Sequence, residues 1–555
     1  MITEFLFAYR KCYCLCFLLV SIYTYSQKPK ADLVVYDATI YTVDPAFSIS
    51  RSIAIKNGKI IAVSRTNDLL NKFNSKEKLK ATGKFIYPGF IDAHAHFLGY
   101  GTSLTTVDLT GTTSWNDVIQ KIKAFVIKKN IQPGEWILGR GWDQNDWDVK
   151  KFPTRAELDQ EFPGNPVLLT RVDGHAAIAN LNAIQTAGIV AGQQITGGDI
   201  ETIDNGLTGI LIDNAIGLVG RKVPRKTSEQ IKQALKDAEQ NCFAVGLTTI
   251  DDCGLNFSDA LLIDELQKKG ELKMRLYVML SDSKMNYNFL FAKGRIKTER
   301  LNVRSFKVYA DGALGSRGAC LLQPYADKPD WQGFLLSSPG HFDSIANIIL
   351  QKGFQMCTHA IGDSGNRTIL NIYAKYLKGR NDLRWRIEHA QVVNEDDFHL
   401  FGKNNIIPSV QPTHATSDMY WAGDRLGKER EKGAYAYKKL LLQNGWIPLG
   451  TDFPVEDISP FKTFYASVFR KDAKGWPESG YQPENALSKE QTLRGMTIWA
   501  AKSNFEEHEK GSLEVGKFAD FIILDKDLMK ISPAEVLKIK VRMTFLNGEK
   551  VFENK

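Results

Sequence analysis

A chain of 555 residues is too long for one simple core and implies two or three domains, or one large barrel with additions. Its composition, 43% hydrophobic and 24% charged, is that of an ordinary globular protein. The 71 Lys and Arg against 63 Asp and Glu leave a net charge of +8. No dense basic run gathers that excess, so it reads as solvated surface and excludes nucleic acid as a partner.

At the N-terminus, Arg10 and Lys11 precede an apolar run from Cys12 to about Tyr25, too short to span a bilayer comfortably. Residues 1–26 therefore read as a secretory leader. Thr24 and Ser26 are small enough for a cleavage site, with the cut between Ser26 and Gln27. The expected mature protein is periplasmic or secreted, without a stable membrane span; a single uncleaved anchor is the alternative. Cys12, Cys14 and Cys16 leave with the leader. Cys242, Cys253, Cys320 and Cys357 remain and read as buried thiols, with Cys242 and Cys253 the one pair close enough in sequence to suggest a disulfide.

Alternating segments follow at Asp32–Val43 and Ser52–Val63, and Asn57-Gly58 inside the second signals a tight hairpin, whose central residues need positive φ. The far end repeats the theme, with Asp520–Leu524, Val541–Phe552 and a second turn at Asn547-Gly548. Neither end has enough strands to stand alone. Residues 27–86 and 506–555 are therefore expected to pair as one composite β-sandwich domain.

Between them, residues 87–505 alternate short apolar strands with helical stretches, the pattern of parallel βα units. Eight strands are expected, at Phe90–His96, Gly246–Asp252, Met274–Leu280, Phe306–Asp311, Phe354–His359, Trp385–His389, Ile407–Gln411 and Ile447–Asp452. Thr227-Ser-Glu-Gln230 and Ser488-Lys-Glu-Gln491 are capping boxes that open helices. The fold class expected is α/β, a (β/α)8 TIM barrel whose reactive residues gather at the C-terminal strand ends. One gap is far longer than a crossover helix needs. It marks an insertion at about 98–225, a lid or pocket wall that carries Gly139-Arg-Gly-Trp-Asp-Gln-Asn-Asp-Trp147 and Thr170-Arg-Val-Asp-Gly-His175.

The stretch Tyr87-Pro-Gly-Phe-Ile-Asp-Ala-His-Ala-His-Phe97 sets the chemistry. Alternate side chains on a strand share a face, so His94 and His96 project together from its end. Lys307, His359, His389 and Asp452 fall at or near the ends of four other expected strands. Histidine and carboxylate ligands in that number suit a divalent metal of the zinc type.

Five segments then carry a resemblance: Pro88–His96, Lys307-Val-Tyr-Ala-Asp-Gly-Ala-Leu-Gly315, His359-Ala-Ile-Gly-Asp363, Glu388-His-Ala-Gln391 and Gly450-Thr-Asp-Phe-Pro454. In this order they resemble the metal-dependent amidohydrolase superfamily, and most closely the branch that includes N-substituted formamide deformylases. The resemblance implies a binuclear centre in which His94, His96 and Asp452 hold one metal and His359 and His389 the other, bridged by a carboxylated Lys307. A lysine paired to a carboxylate such as Asp311, with a mononuclear site, is the alternative. One or two divalent metals, zinc first, are thus the cofactors expected.

A metal-activated hydroxide would attack a polarised carbonyl, and Asp452 would take the proton and deliver it to the leaving amine. His175 and His414 are candidates to donate hydrogen bonds to the developing oxyanion. Trp142, Asp143 and Arg317 are candidates to line the substrate pocket, with Trp142 and Trp147 an apolar wall that favours an aryl or alkyl group. Structural histidines and a buried aromatic core within the insertion are the competing readings. The expected function is hydrolysis of a non-peptide carbon–nitrogen bond in a small-molecule N-substituted formamide, other amide or cyclic amide. Ester or phosphoester hydrolysis, ring deamination and noncatalytic binding are the alternatives, and homo-oligomerisation stays open.

Overall fold

The computed structural model describes residues 28–379 and 381–554, so the leader and its cleavage site lie outside the described residues. At the centre of the molecule, parallel strands Phe90–Ala95, Leu247–Leu255, Arg275–Ser281, Leu301–Tyr309, Gln355–Ala360, Arg386–His389 and Ile407–Ser409 bond to one another in chain order. Each overlaps one of the first seven expected strands. They are buried along nearly their whole length, as a parallel sheet covered on both faces requires.

The expected eighth strand is different. Ile447–Asp452 does not form a regular ladder, but a parallel bridge joins Val410 to Leu449, and the Ala93 and Asp452 N–H groups donate to Leu449 and His94 carbonyls at 3.2 and 2.7 Å. These bonds nearly close the barrel. Pro448 has no N–H to offer a ladder, and Gly450 passes so near the first strand that a Cβ there would lie 2.5 Å from His94 N. The motif glycine is therefore a close-approach residue.

Both capping boxes form. Thr227 caps the helix Ser228–Ala244, which buries Ala234, Leu235, Ala238 and Cys242 at three- and four-residue spacing against the barrel. Ser488 caps Lys489–Gly495 in the same way. Each such cap is worth about 1 kcal/mol, so Thr227→Ala would fray the helix that delivers the second barrel strand.

Strands from both chain ends share one six-stranded sheet, in which Phe521–Leu524 pairs with Phe85–Pro88 and with Val541–Leu546. A four-stranded sheet from the N-terminal part packs against it through Leu33, Val35, Ile53, Ile86, Phe521 and Phe545. The two Asn-Gly turns form, with φ of 50° and 74° at Asn57 and Gly58 and 52° and 72° at Asn547 and Gly548. Ala519 ties them together, its N–H donating to Gly58 O and its carbonyl accepting from Gly548 N.

The insertion holds more structure than its sequence suggested. Among the described residues it contains a six-stranded mixed sheet, ordered Gly198–Ile203, Gly206–Asp213, Ala176–Ala179, Val167–Arg171, Ile137–Trp142, Val107–Asp108. That sheet has its own core around Ile122, Trp142, Leu158 and Leu169. The four cysteines are all free thiols, so Cys242 and Cys253 form no disulfide. Cys320 is only half-buried. Cys357 sits in a small interior cluster with Cys253, Tyr277 and Met279.

Candidate metal centre

The barrel strands deliver their polar residues to one floor. His94 is the last residue but one of the first strand and His96 caps the start of the helix Phe97–Ser103, while His389 ends the sixth strand. Strict alternation would turn Glu388 and His389 to opposite faces, but His389 leaves the strand conformation with φ 74°. Both side chains are consequently buried inside the barrel mouth.

Each imidazole on the floor has one nitrogen tied down. His94 Nδ1 lies 2.5 Å from Glu388 Oε2, His96 Nδ1 2.9 Å from the Cys253 carbonyl, and His389 Nδ1 2.8 Å from Gln411 Oε1. If each Nδ1 carries the proton, each Nε2 presents a lone pair to the cavity. His94, His389 and Asp452 then offer ligand atoms within 4.8 Å of one another. Asp452 Oδ1 stands 3.2 Å from His96 Nε2 and 3.6 Å from His94 Nε2, and among the described residues it accepts no hydrogen bond although it is buried. The His359 ring lies 4.5 Å from that of His389, with its Nε2 3.5 Å from the Gly312 carbonyl. Lys307 Nζ, fully buried, is 3.2 Å from His94 Nε2.

The charge states match the geometry. Burial, with help from the Lys307 charge, depresses His94 to about 4, and burial together with neighbouring histidines holds His359 and His389 well below the usual imidazole range. They are neutral, the form that binds metal. Burial opposes ionisation of Asp452, yet His414, His96 and His94 outweigh it and keep the carboxyl far below its ordinary value. The neutral His94 and His389 beside a buried Asp452 oxygen that accepts no hydrogen bond form a donor set that fits a divalent cation.

Two further histidines stand on the walls. His414 places Nε2 3.2 Å from Asp452 Oδ2 and Nδ1 3.1 Å from Glu456 Oε1. From the insertion, His175 brings its ring within 4.9 Å of His359, with Nδ1 2.5 Å from Asp213 Oδ1. Asp213 is wholly buried against Gly312 and Gly318, where a Cβ on either glycine would come within 2.3 Å of Asp213 Oδ2. Floor and walls enclose a cavity of about 1280 Å³.

The cavity brings together His94, His96, Lys307, His359, His389 and Asp452, with His175, His414 and Asp143 on its walls. Asp143 is locked to Arg171. Trp142 and Trp147, expected as an apolar pocket wall, are instead buried in the insertion core, where Trp142 Nε1 donates to the Leu169 carbonyl at 2.9 Å. The cause is a bulge between Arg140 and Trp142, with Gly141 at φ 111°, which turns Trp142 onto the core face. Arg317, also expected in the pocket, points away from it to Asp327 at 2.8 Å. Nor is Lys307 paired with Asp311, whose oxygens accept the backbone N–H groups of Cys320, Ile361 and Gly362.

Three supporting residues escaped the sequence reading. Glu388 belongs to a motif with no role of its own in sequence, although Arg386 two residues before it is a signal, because i and i+2 share the interior face. Gln411 stood at the end of an expected strand with no evident partner. Asp213 had no local signal, since its partner is 38 residues away in another strand connection.

The pattern that defines the Amidohydrolase family matches residues 79–552. The chain is 32% identical over 540 residues to Protein LONG AFTER FAR-RED 3 of Arabidopsis thaliana, covering 94% of this chain and 92% of that one. It is 24% identical over 540 residues to the N-substituted formamide deformylase of Arthrobacter pascens, covering 93% and 97%. An uncharacterized metal-dependent hydrolase from Pyrococcus horikoshii OT3 superposes with a TM-score of 0.74 at 26% identity, over 90% of this chain and 99% of that one. A match over 79–552 takes in the barrel, the insertion and the C-terminal strands of the six-stranded sheet, and the chain belongs to the Amidohydrolase family.

Proposed function

We propose that this protein is a metal-dependent hydrolase of a non-peptide carbon–nitrogen bond, in an N-substituted formamide, another amide or a cyclic amide. The observation that carries the reading is the buried Asp452 carboxylate, unsatisfied on Oδ1 and bracketed by His94 and His96 on one side and His414 on the other. His94, His96 and Asp452 would hold one metal and His359 and His389 a second, with Lys307, as its carbamate, a further anionic ligand. A bound zinc-type ion acidifies water and polarises a carbonyl.

The chain's own residues supply the rest. Asp452 accepts the proton of the attacking water and returns it to the nitrogen that leaves. His414, held between Asp452 and Glu456, keeps that carboxylate oriented. His175, fixed by Asp213, donates from Nε2 to the oxygen of the carbonyl under attack. Glu388 and Gln411 set the tautomers of His94 and His389. The likeness to the deformylase supports the choice of a formamide as first substrate to try.

The test is metal content per chain by elemental mass spectrometry, with turnover of N-formyl and N-acyl amines, for the parent, Lys307→Ala and His175→Asn. We expect about two metals in the parent and fewer in Lys307→Ala. His175→Asn should keep its metal and lose about 10²-fold in kcat. A parent that binds no metal overturns the reading. Export of the protein through the 1–26 leader, and a composite domain made of 27–86 with 506–555, belong to the same proposal. N-terminal sequencing of exported protein that begins at Met1 would refute the first, and hydrogen-exchange protection of 27–86 that is unchanged when 506–555 is removed would refute the second.

A further inference from the structure

Four cationic side chains line the cavity: Arg140, Arg171, Lys307 and Lys462. Three are accounted for. Arg171 is clamped between Asp143 and Asp173, Lys462 pairs with Asp457 at 2.8 Å, and Lys307 belongs to the floor. Arg140 differs from all of them. Among the described residues Arg140 forms no ion pair, and its one hydrogen bond runs from Nη2 to the Val172 carbonyl at 2.8 Å. Its Nε is buried with no acceptor.

That state is costly and is built into the backbone. Arg140 is half-buried, and its buried Nε has given up hydration that nothing among the described residues restores. The two anions that act on its charge are both engaged elsewhere: Asp452 with the histidines of the floor, and Asp173 with Arg171 and the His175 N–H. The bulge at Gly141 separates Arg140 from Trp142, sending the tryptophan to the core and leaving the arginine on the cavity side. Gly174 then lies against the head group. A Cβ there would lie 3.4 Å from both Nη1 and Nη2, so the guanidinium rests over the turn that precedes His175.

We propose that Arg140 is the anchor for an anionic group on the substrate, so that the substrates of this hydrolase are amides or N-acyl compounds that carry a carboxylate a few atoms from the scissile bond. The inference names a substrate class for the reading above and rests on it. The free edge of the guanidinium takes the carboxylate oxygens as charge-assisted hydrogen bonds. The adjoining His175, beside His359, faces the carbonyl, so anion and scissile bond lie along one wall. A neutral amine or formamide leaves Arg140 uncompensated and binds more weakly.

Binding can be measured apart from turnover, by titration calorimetry of the metal-loaded full-length protein with N-acetylglycine and with N-acetylglycinamide. The acid should bind the parent tighter than the amide by on the order of tenfold to a hundredfold, the range for a hydrogen bond to a charged group. Arg140→Gln should erase that preference and Arg140→Lys should keep part of it, with both variants folded by circular dichroism. Equal binding of acid and amide to the parent, no measurable binding of either, or a preference that survives Arg140→Gln overturns the proposal. If Arg140→Gln does not fold, Arg140→Lys decides, because an undiminished preference there at 0.5 M salt also overturns it. An acid preference that depends on Arg140 in a protein that hydrolyses neither compound nor any other amide would leave the anion site standing and remove the hydrolase reading.

Discussion

The floor of the cavity and its insertion wall handle buried charge in opposite ways. On the wall, Arg171 is neutralised on the spot by Asp143 and Asp173, and Asp213 by His175. On the floor, His94 and His389 are neutral and Asp452 keeps one oxygen without a donor. A wall that satisfies its own charges can be rigid without a ligand. A floor that leaves a carboxylate oxygen unsatisfied is complete only when a cation arrives. Arg140 Nε and Asp213 Oδ2 are the exceptions on the wall, both buried without a hydrogen-bond partner, and there the wall behaves like the floor.

Three changes probe this contrast. The largest effect belongs to Asp452→Asn, which should lower kcat/KM by roughly 10²–10⁴ through loss of the proton carrier. Steady-state kinetics beside metal analysis checks it, and an unchanged rate would remove Asp452 from the reaction. Next, Trp142→Ala should destabilise the insertion by about 3–5 kcal/mol, because the ring is fully buried in a core of its own. Denaturant unfolding should show an early transition while the floor retains its metal. A shift below about 1 kcal/mol would mean that the wall has no independent core.

The smallest effect lies beneath the floor, where Arg386 stands 2.9 Å from Asp251 and 2.8 Å from Glu388. One guanidinium serves two carboxylates. Burial lifts Asp251 to about 7 despite Arg386, whereas for Glu388 the pull of Arg386 and His94 overcomes burial and holds it at about 2. A carboxyl raised above its ordinary value favours the fold while protonated. That contribution is complete below about 3.8 and is lost as pH rises through about 7. Asp251→Asn keeps the uncharged form at every pH, so its unfolding temperature should gain on the parent between pH 5 and pH 8. A difference that does not move with pH would show that Asp251 stays ionised.

Much of this was legible in the chain because it depends on local pattern. Strand alternation aligned His94 with His96, and the two Asn-Gly turns and two capping boxes formed where their residue types require. The insertion was not legible, because its strands are short and interrupted by residues such as Gly139 and Gly141, and its sheet is held by pairings between distant segments. Trp142 illustrates the limit: one bulged residue decides whether it faces a core or a cavity.

The order of apolar strands and the residue types at their ends are properties of the linear chain, and they were enough to set the barrel class and the roster of His94, His96, His359, His389 and Asp452. Which nitrogen of each imidazole faces inward, which carboxylate stays unsatisfied and which arginine is left without a partner were decided only in three dimensions. Those properties depend on groups hundreds of residues apart, such as Glu388 against His94 and His96 against Asp452, meeting within about 3 Å. No periodicity carries that information, because hydrogen bonding and desolvation act on distance in space, not on separation along the chain.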